Sequence, residues 1–295
     1  MVYNTIRYEV EEGIATISLA RAEKRNAYNA EMMGELLDAL EAIDGDDDVR
    51  AAIVTGEGKA FCSGADIADG ADGFRVGSGS AVLPDGRIDY GDEAVRDGGG
   101  RLTLRIFELK KPIIGAVHGA AVGIGATMLL PMDIRLASEE ARFGFVFTRR
   151  GVVPEGASSF FLPRIVGIAQ ALEWCLSGRM VDAREALAGG LVSRVVQPDQ
   201  LMATARALAR EIADNTAPVS VALTRQMLWR GLGMSHPMEA HRIESWGVFS
   251  RSRSADAAEG VAAFFEKRAA NFPDRVSRDM PDYFPWWEDP PYRHD

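Results

Sequence analysis

The sequence predicts an α/β core followed by a block of helices, and three observations carry this. Short strand patterns alternate with helical periods through the first half of the chain. From residue 157 onward helical patterns dominate, with one strand at "LVSRVV". Of the 295 residues, 47% are hydrophobic, which is enough for a sizeable buried core. The length fits one large domain or a core with an appendage. The expected organisation is a core over 1–200 with a mobile flap at 68–100, a helical region over 201–272, and an extended aromatic tail over 273–295.

Taken in order, Ile6, Tyr8 and Val10 alternate with polar residues and "GIATISLA" repeats the pattern, giving two strands around a turn at Glu12-Gly13. Asn29 is placed to cap a helix whose apolar face carries Met33, Leu36, Leu37, Leu40 and Ile43. "AAIVTG" is a short buried strand ending in glycine. Residues 68–100 are rich in Gly and Asp and lack a period, as expected of a lid or binding loop beside a site. "RLTLRIFEL" then reads as a helix, "KKPIIGAVHG" as a buried strand and "AAVGIGATMLLPM" as a glycine turn opening a helix. "DIRLAS" and "ARFGF" are short strands. Leu208, Ile212, Val221, Met227, Leu228, Phe264 and Phe265 fall in helices. Trp286 and Trp287 are costly to leave in water, so the tail is expected to pack on something. No internal repeat of fixed length is visible.

Composition narrows the function. With 43 acidic and 33 basic side chains the net charge is −10, which argues against nucleic acid or anionic membrane as a partner, while leaving room for one local basic pocket. Two cysteines, Cys62 and Cys175, are too few for a disulfide framework and suit a reducing compartment. The first residues do not follow a signal-peptide pattern, and no run of about 20 apolar residues occurs. A cytoplasmic location is expected.

Two glycine turns stand out chemically. "GKAFCSGADI" has Gly64 before Ala65, where a helical turn would leave amides free; in "HGAAVGIGATMLL", Gly123 and Gly125 flank Ile124 at a helix start. Two such amide sources aimed at one point would form an oxyanion hole, each donor worth about 3–4 kcal/mol in the barrier. Two ordinary tight turns would look the same from spacing alone. "GIGATM" has Met128 where a dinucleotide fingerprint needs its last glycine, no P-loop occurs, and the four histidines lack metal-ligand spacing. Cys62 reads as a small core residue, and "EGASSF" is not a nucleophile elbow. Glu155 lies between Pro154 and Gly156, with Phe143, Phe145, Phe147, Phe160 and Phe161 nearby in sequence. An acid in such surroundings gains a raised pKa suited to proton transfer. It could equally be a first-turn acid of the helix that follows.

The pieces "RAEKRNAYN", "GKAFCSGADI", "KKPIIGAVHGAAVGIGATMLLPMDIRLAS", "ARFGF", "GVVPEGASSFFLPRIVG" and "EGVAAFFEKRAANF" run in order from about residue 5 to 272. Together they resemble the crotonase family of enoyl-CoA hydratases and isomerases. The resemblance implies a crotonase-like spiral of ββα units with a C-terminal helical trimerisation region, assembling as a homotrimer or dimer of trimers. It implies acyl-CoA thioester substrates, with coenzyme A as part of the substrate and no separate cofactor. It assigns the oxyanion amides to Ala65 and Ile124. It lays Arg25, Ala27, Asp66 and Ile67 along the CoA channel, with Gly123 and Pro154 also beside the substrate. Phe264 and Lys267 would reach the adenine or phosphates, across a subunit boundary or within one chain.

The departures from the family pattern direct the functional expectation. The two-glutamate hydratases carry acids at the positions of Thr127 and Phe147, and both are absent here. Glu155 matches instead a position where dienoyl-CoA isomerases and 4-chlorobenzoyl-CoA dehalogenases carry an aspartate. The leading expectation is therefore double-bond isomerisation through a thioester enolate, with Glu155 as base. The alternatives are hydration with Glu155 activating water, covalent attack or thioester hydrolysis, and a non-catalytic CoA- or RNA-binding member.

Overall fold

Alternation of strands between two sheets organises the core of the computed structural model, which describes residues 2–68 and 81–293. The middle of the expected flap, 69–80, and the last two residues lie outside the described residues. Strands β1 (Ile6–Glu11) and β2 (Ile14–Leu19) pair antiparallel around Glu12 and Gly13, both with positive φ. Helix α1 (Ala30–Gly45) begins where the Asn29 side chain accepts the Met32 amide at 2.9 Å. It buries Met32, Leu36, Ala39, Leu40 and Ile43, so its inward face is turned slightly from the expected one, and Met33 and Leu37 sit half-buried at the edge.

Three ββα units follow. They are β3 (Ala51–Gly56), β4 (Ala60–Cys62) and α2 (Gly98–Glu108); β5 (Ile113–Val117), β6 (Ala120–Val122) and α3 (Ile124–Thr127); and β7 (Ile134–Ser138), β8 (Arg142–Gly144) and α4 (Ser158–Val166). The first strand of each unit joins a six-stranded sheet and the second joins a four-stranded sheet. Helix α5 (Ile168–Ser177), strand β9 (Met180–Asp182), helix α6 (Ala183–Ala188) and strand β10 (Arg194–Val196) complete the core. The sheet orders are β1-β2-β3-β5-β7-β10 and β4-β6-β8-β9, parallel except for β1 with β2 and β8 with β9. This is the spiral of ββα units that the resemblance implied. Its repeat is hidden in the sequence because the connectors before the three helices differ so much: 63–97, 123 and 145–157.

The central strands of the six-stranded sheet are covered on both faces, which is why β3 and β5 read as continuous apolar runs. Ala51 and Ile53 of β3 face a cluster with Leu201, Ala205 and Ala209, while Ala52 and Val54 face the main core. Leu201, Ala205 and Ala209 belong to α7 (Leu201–Asn215), which is followed by α8 (Pro218–Gly231), α9 (Pro237–Arg251) and α10 (Ala255–Glu266). Arg225 of α8 is buried and donates to the carbonyls of Ile106 at 2.7 Å and Phe107 at 2.9 Å, and to Leu109, closing the C-terminal end of α2. The tail folds back onto these helices. The Tyr283 and Trp246 rings lie 5.7 Å apart, and the Trp287 ring lies 3.3 Å from the Arg230 guanidinium carbon.

Three local expectations change. Residues 98–100, placed in the flap, form the first turn of α2. The helix after "AAVGIG" spans only Ile124–Thr127 before tighter turns take over towards Pro131. No helical turn starts at Ala65, which instead forms an isolated parallel bridge with Tyr28. Among the described residues no helix is long and apolar enough to cross a membrane.

Candidate active site

Strands β4 and β6 are parallel neighbours, with Cys62 opposite Ala121, so the turns that leave them emerge side by side. Gly64 has φ +105°, and a methyl group there would stand 3.1 Å from the Val122 carbonyl oxygen; a methyl group on Gly123 would stand 3.9 Å from the Gly64 Cα. Glycine is required at this approach on both conformational and steric grounds. The two turns flagged in the sequence are thus one structure.

Each turn presents a free amide. In the bridge beside Ala65, the Tyr28 amide donates to Gly64 O and the Asp66 amide donates to Tyr28 O, both at 2.8 Å. A parallel bridge uses the groups on either side of its central residue, which leaves the Ala65 N–H directed away from Tyr28. The freedom expected from a helix start is thus supplied by bridge geometry. At the other turn, Gly123 donates to Gly144 O at 2.9 Å, while the Ala126 and Thr127 amides close onto Gly123 O at 2.8 and 2.9 Å. The Ile124 amide is left in the first turn. Among the described residues neither the Ala65 nor the Ile124 amide has an acceptor.

Glu155 comes from the next ββα unit. Its own carbonyl accepts from the Ser158 amide at 3.0 Å and the Ser158 hydroxyl at 2.6 Å, at the start of α4. Its carboxylate does not serve that helix, which decides against the first-turn-acid reading. It accepts a hydrogen bond from the Thr127 hydroxyl at 2.5 Å. The chain reaches this geometry through two successive left-handed residues, Gly156 at φ +63° and Ala157 at φ +50°. Such conformations in a non-glycine residue are uncommon and collect at functional sites. A methyl group on Gly156 would stand 3.0 Å from the Thr127 hydroxyl oxygen.

The first turn of α2 forms the roof. A methyl group on Gly99 would lie 1.8 Å from Glu155 Oε2 and 2.8 Å from Ile124 Cδ1, so one glycine touches both the acid and the residue of the second amide. Asp97 caps this helix, accepting from the Gly100 amide at 2.5 Å and from the Gly156 amide at 3.4 Å. Burial pushes the Glu155 carboxyl up to about 7; the Thr127 hydrogen bond opposes this and the nearby negative charge of Asp97 adds to it. Cys62 is buried and its thiol is pushed up to about 12, as befits a core cysteine. The Tyr28 hydroxyl is also raised, by burial first and by Glu155 second.

The resemblance-derived residues divide into two groups. Arg25 is exposed and left-handed at φ +53°, and its carbonyl accepts from the Ser63 amide at 3.0 Å, tying its segment to the Gly64 turn. Ala27 is buried beside it, the Asp66 carboxylate pairs with Arg21 at 2.9 Å, and Ile67 is exposed. The Arg21 hydrogen bond holds the Asp66 carboxyl below the usual carboxylate range. Pro154 is exposed just before Glu155. Phe264 and Lys267 lie elsewhere, exposed at the end of α10, with no described hydrogen bond, ion pair or ring contact to Glu155, Ala65 or Ile124. Phe147 is buried in the main core.

Sequence reasoning missed three participants. Thr127 figured only as a missing glutamate, yet it is the hydrogen-bond partner of Glu155. Asp97 and Gly99 were absorbed into the flap. The available signal was "RDGGG" ahead of an amphipathic helix: a capping aspartate followed by glycines that admit a close neighbour. No group of three or more His, Cys, Asp or Glu side chains suited to a metal ion occurs among the described residues.

Comparisons with known proteins agree with the fold. The profile of the family described as "Enoyl-CoA hydratase/isomerase" matches residues 9–275. The chain is 41% identical over 266 residues to "Enoyl-CoA hydratase ACTT3" of Alternaria alternata, covering 90% of this chain and 84% of that protein. It is 33% identical over 270 residues to "1,2-epoxyphenylacetyl-CoA isomerase" of Escherichia coli K12, covering 89% and 96%. Among solved structures, a putative enoyl-CoA hydratase from Streptomyces coelicolor A3(2) superposes with a TM-score of 0.82 at 33% identity, covering 93% of this chain and 96% of that one.

Proposed function

The chain belongs to the enoyl-CoA hydratase/isomerase family and is an enzyme acting on acyl-CoA thioesters, and we propose that it shifts a double bond through a thioester enolate with Glu155 moving the proton. The observation that carries this is one carboxylate, held by Thr127 and raised to about 7, in the roofed space that also contains Ile124. A base with a pKa near the working pH is well placed to take a proton and return it.

The steps balance without water. The thioester carbonyl oxygen sits between the Ala65 and Ile124 amides. Glu155 removes a proton from carbon, and the C–H electron pair moves into the enolate, whose negative oxygen the two amides hold. The protonated Glu155 then returns that proton to a different carbon of the conjugated system, and the electron pair leaves the oxygen to re-form the carbonyl. Arg25, Ala27, Asp66 and Ile67 flank the CoA portion, with Gly123 and Pro154 nearer the acyl group. Phe264 and Lys267 would serve the nucleotide end of a neighbouring subunit's substrate in a homotrimer or dimer of trimers, working in the cytoplasm.

Hydration is the second reading, favoured by the hydratase names of several relatives. Glu155 would then activate a water. Product mass separates the two: isomerisation conserves it, and hydration adds one water. The assay is wild type against Glu155→Gln on 2-enoyl, 3-enoyl and dienoyl thioesters. We expect a loss of at least about 10²-fold on the true substrate. Full rate in the variant would remove Glu155 as the base.

A further inference from the structure

We propose that residues 287–293 form a strap that holds the segment carrying Asp97 in place beside Glu155, making Tyr292 and Arg293 positioning residues for the reaction. The catalytic half of this inference rests on the proposed role of Glu155.

The strap is anchored at one end and reaches the site at the other. Arg230 of α8 is sandwiched between the Trp287 ring at 3.3 Å and the Phe107 ring at 4.9 Å, and it pairs with Asp289 at 3.2 Å. This fixes the chain over the C-terminal half of α2. Further on, Arg293 Nη2 lies 3.4 Å from Asp89 Oδ2. The Arg293 stem covers Gly91, where a methyl group would stand 3.1 Å from its Cγ. The Tyr292 ring lies 5.5 Å from the Arg96 guanidinium carbon. Arg96 is the residue before Asp97, whose carboxylate bonds both α2 and the Gly156 amide.

Besides the strap, the segment is held to its surroundings by the Asp89 amide, which donates to Ala81 O at 2.9 Å, and by Arg101 of α2, which pairs with Glu93 at 2.9 Å. Between residues 89 and 96 it is a chain of tight turns, with Asp92 donating to Asp89 O, Val95 to Asp92 O and Arg96 to Glu93 O at 2.9–3.2 Å. Segments of this kind open locally at low cost unless tied down. The side chains whose charge or hydrogen bonding reaches Glu155 are Thr127 on α3, Asp97 before α2, Tyr28 beside the Gly64 turn and Cys62 on β4. Of these, Asp97 is the one attached to the strapped segment. Residues 287–293 also lie past the stretch shared with the family.

The direct test is amide hydrogen exchange on the full chain and on the double variant Tyr292→Ala/Arg293→Ala. Exchange at Asp89, Asp92, Val95 and Arg96 should speed up about fivefold, the loss expected for one exposed cation–π contact and one surface ion pair, while β3 and β5 stay unchanged. Unchanged exchange in the segment would overturn the strap. Arg293→Asp should show part of the same loss, and Asp89→Arg/Arg293→Asp should recover it. Catalytically, freeing Asp97 should move the low-pH limb of kcat/KM to lower pH with KM little altered. In an Asp97→Asn background the double variant should move it no further. An equal shift in that background would overturn the route through Asp97. Exchange reports on the strap whichever group is the base, so a fully active Glu155→Gln enzyme would remove the catalytic role without touching the strap result.

Discussion

At the scale of single residues, Glu155 owes its chemistry to three influences with opposing effects: its burial and two neighbours, Asp97 and Thr127. Burial raises its pKa, the Asp97 charge raises it further, and the Thr127 hydroxyl lowers it by donating to the ionised form. As a base, Glu155 works only when ionised, so kcat/KM should fall as pH drops through about 7. Thr127→Val removes a donor to the charged form, so that limb should move to higher pH. Asp97→Asn removes a negative neighbour and should move it to lower pH, while asparagine still caps α2. Rate profiles of both variants check the two opposite signs; shifts in one direction would contradict the charge arrangement. Glu155 was legible in the sequence because an acid between Pro154 and Gly156 interrupts apolar runs. Thr127 was legible only as a departure, because its partner lies 28 positions away along the chain.

At the scale of elements, the site depends on how closely helix starts and strand ends approach. Gly99 in the first turn of α2 is the tightest of these approaches, facing Glu155 and Ile124 together. Gly99→Ala would place a methyl where the carboxylate stands and push it aside. The expected result is a loss of about 10²-fold in kcat/KM from misplacement alone. The thermal midpoint should move little, because alanine favours the helix by about 0.5–1 kcal/mol over glycine and offsets the local crowding. Kinetics and a melting curve on the same sample decide it: parallel collapse of both would mean that Gly99 serves folding rather than the site. The strands and α1 were readable from local pattern, since burial on one or both faces leaves a period in the sequence. Strands β4, β6 and β9 were not; they lie in stretches that read as glycine turns or helix. Nor was the bridge at Ala65, which depends on Tyr28 from another segment.

At the scale of the molecule, the C-terminal helices hold the core element that roofs the site. Arg225 and Gln226 of α8 close the C-terminal carbonyls of α2, while Asp97 closes its N-terminal amides. Arg225 also pairs with Asp133 at 2.9 Å. Arg225→Met would leave those carbonyls and Asp133 without their buried cation, and should cost about 3–5 kcal/mol. Denaturant unfolding should show a lower midpoint at unchanged slope. A midpoint equal to wild type would mean that the clamp contributes nothing net.

The sequence by itself determined the longer strands and the first helices, the helical block that follows, the family, the two glycine turns and the acid. Each is written in local pattern: burial leaves periods, tight turns demand glycine, and a family's motifs stay in register. Only the tertiary structure decided that the two turns abut, that Ala65 frees its amide through a bridge, that Glu155 turns from α4 to Thr127, and that α2 starts early enough for Gly99 to cover the acid. These facts depend on separations of tens of residues being closed by parallel pairing in a spiral. No local pattern encodes the distance between two turns that follow neighbouring strands.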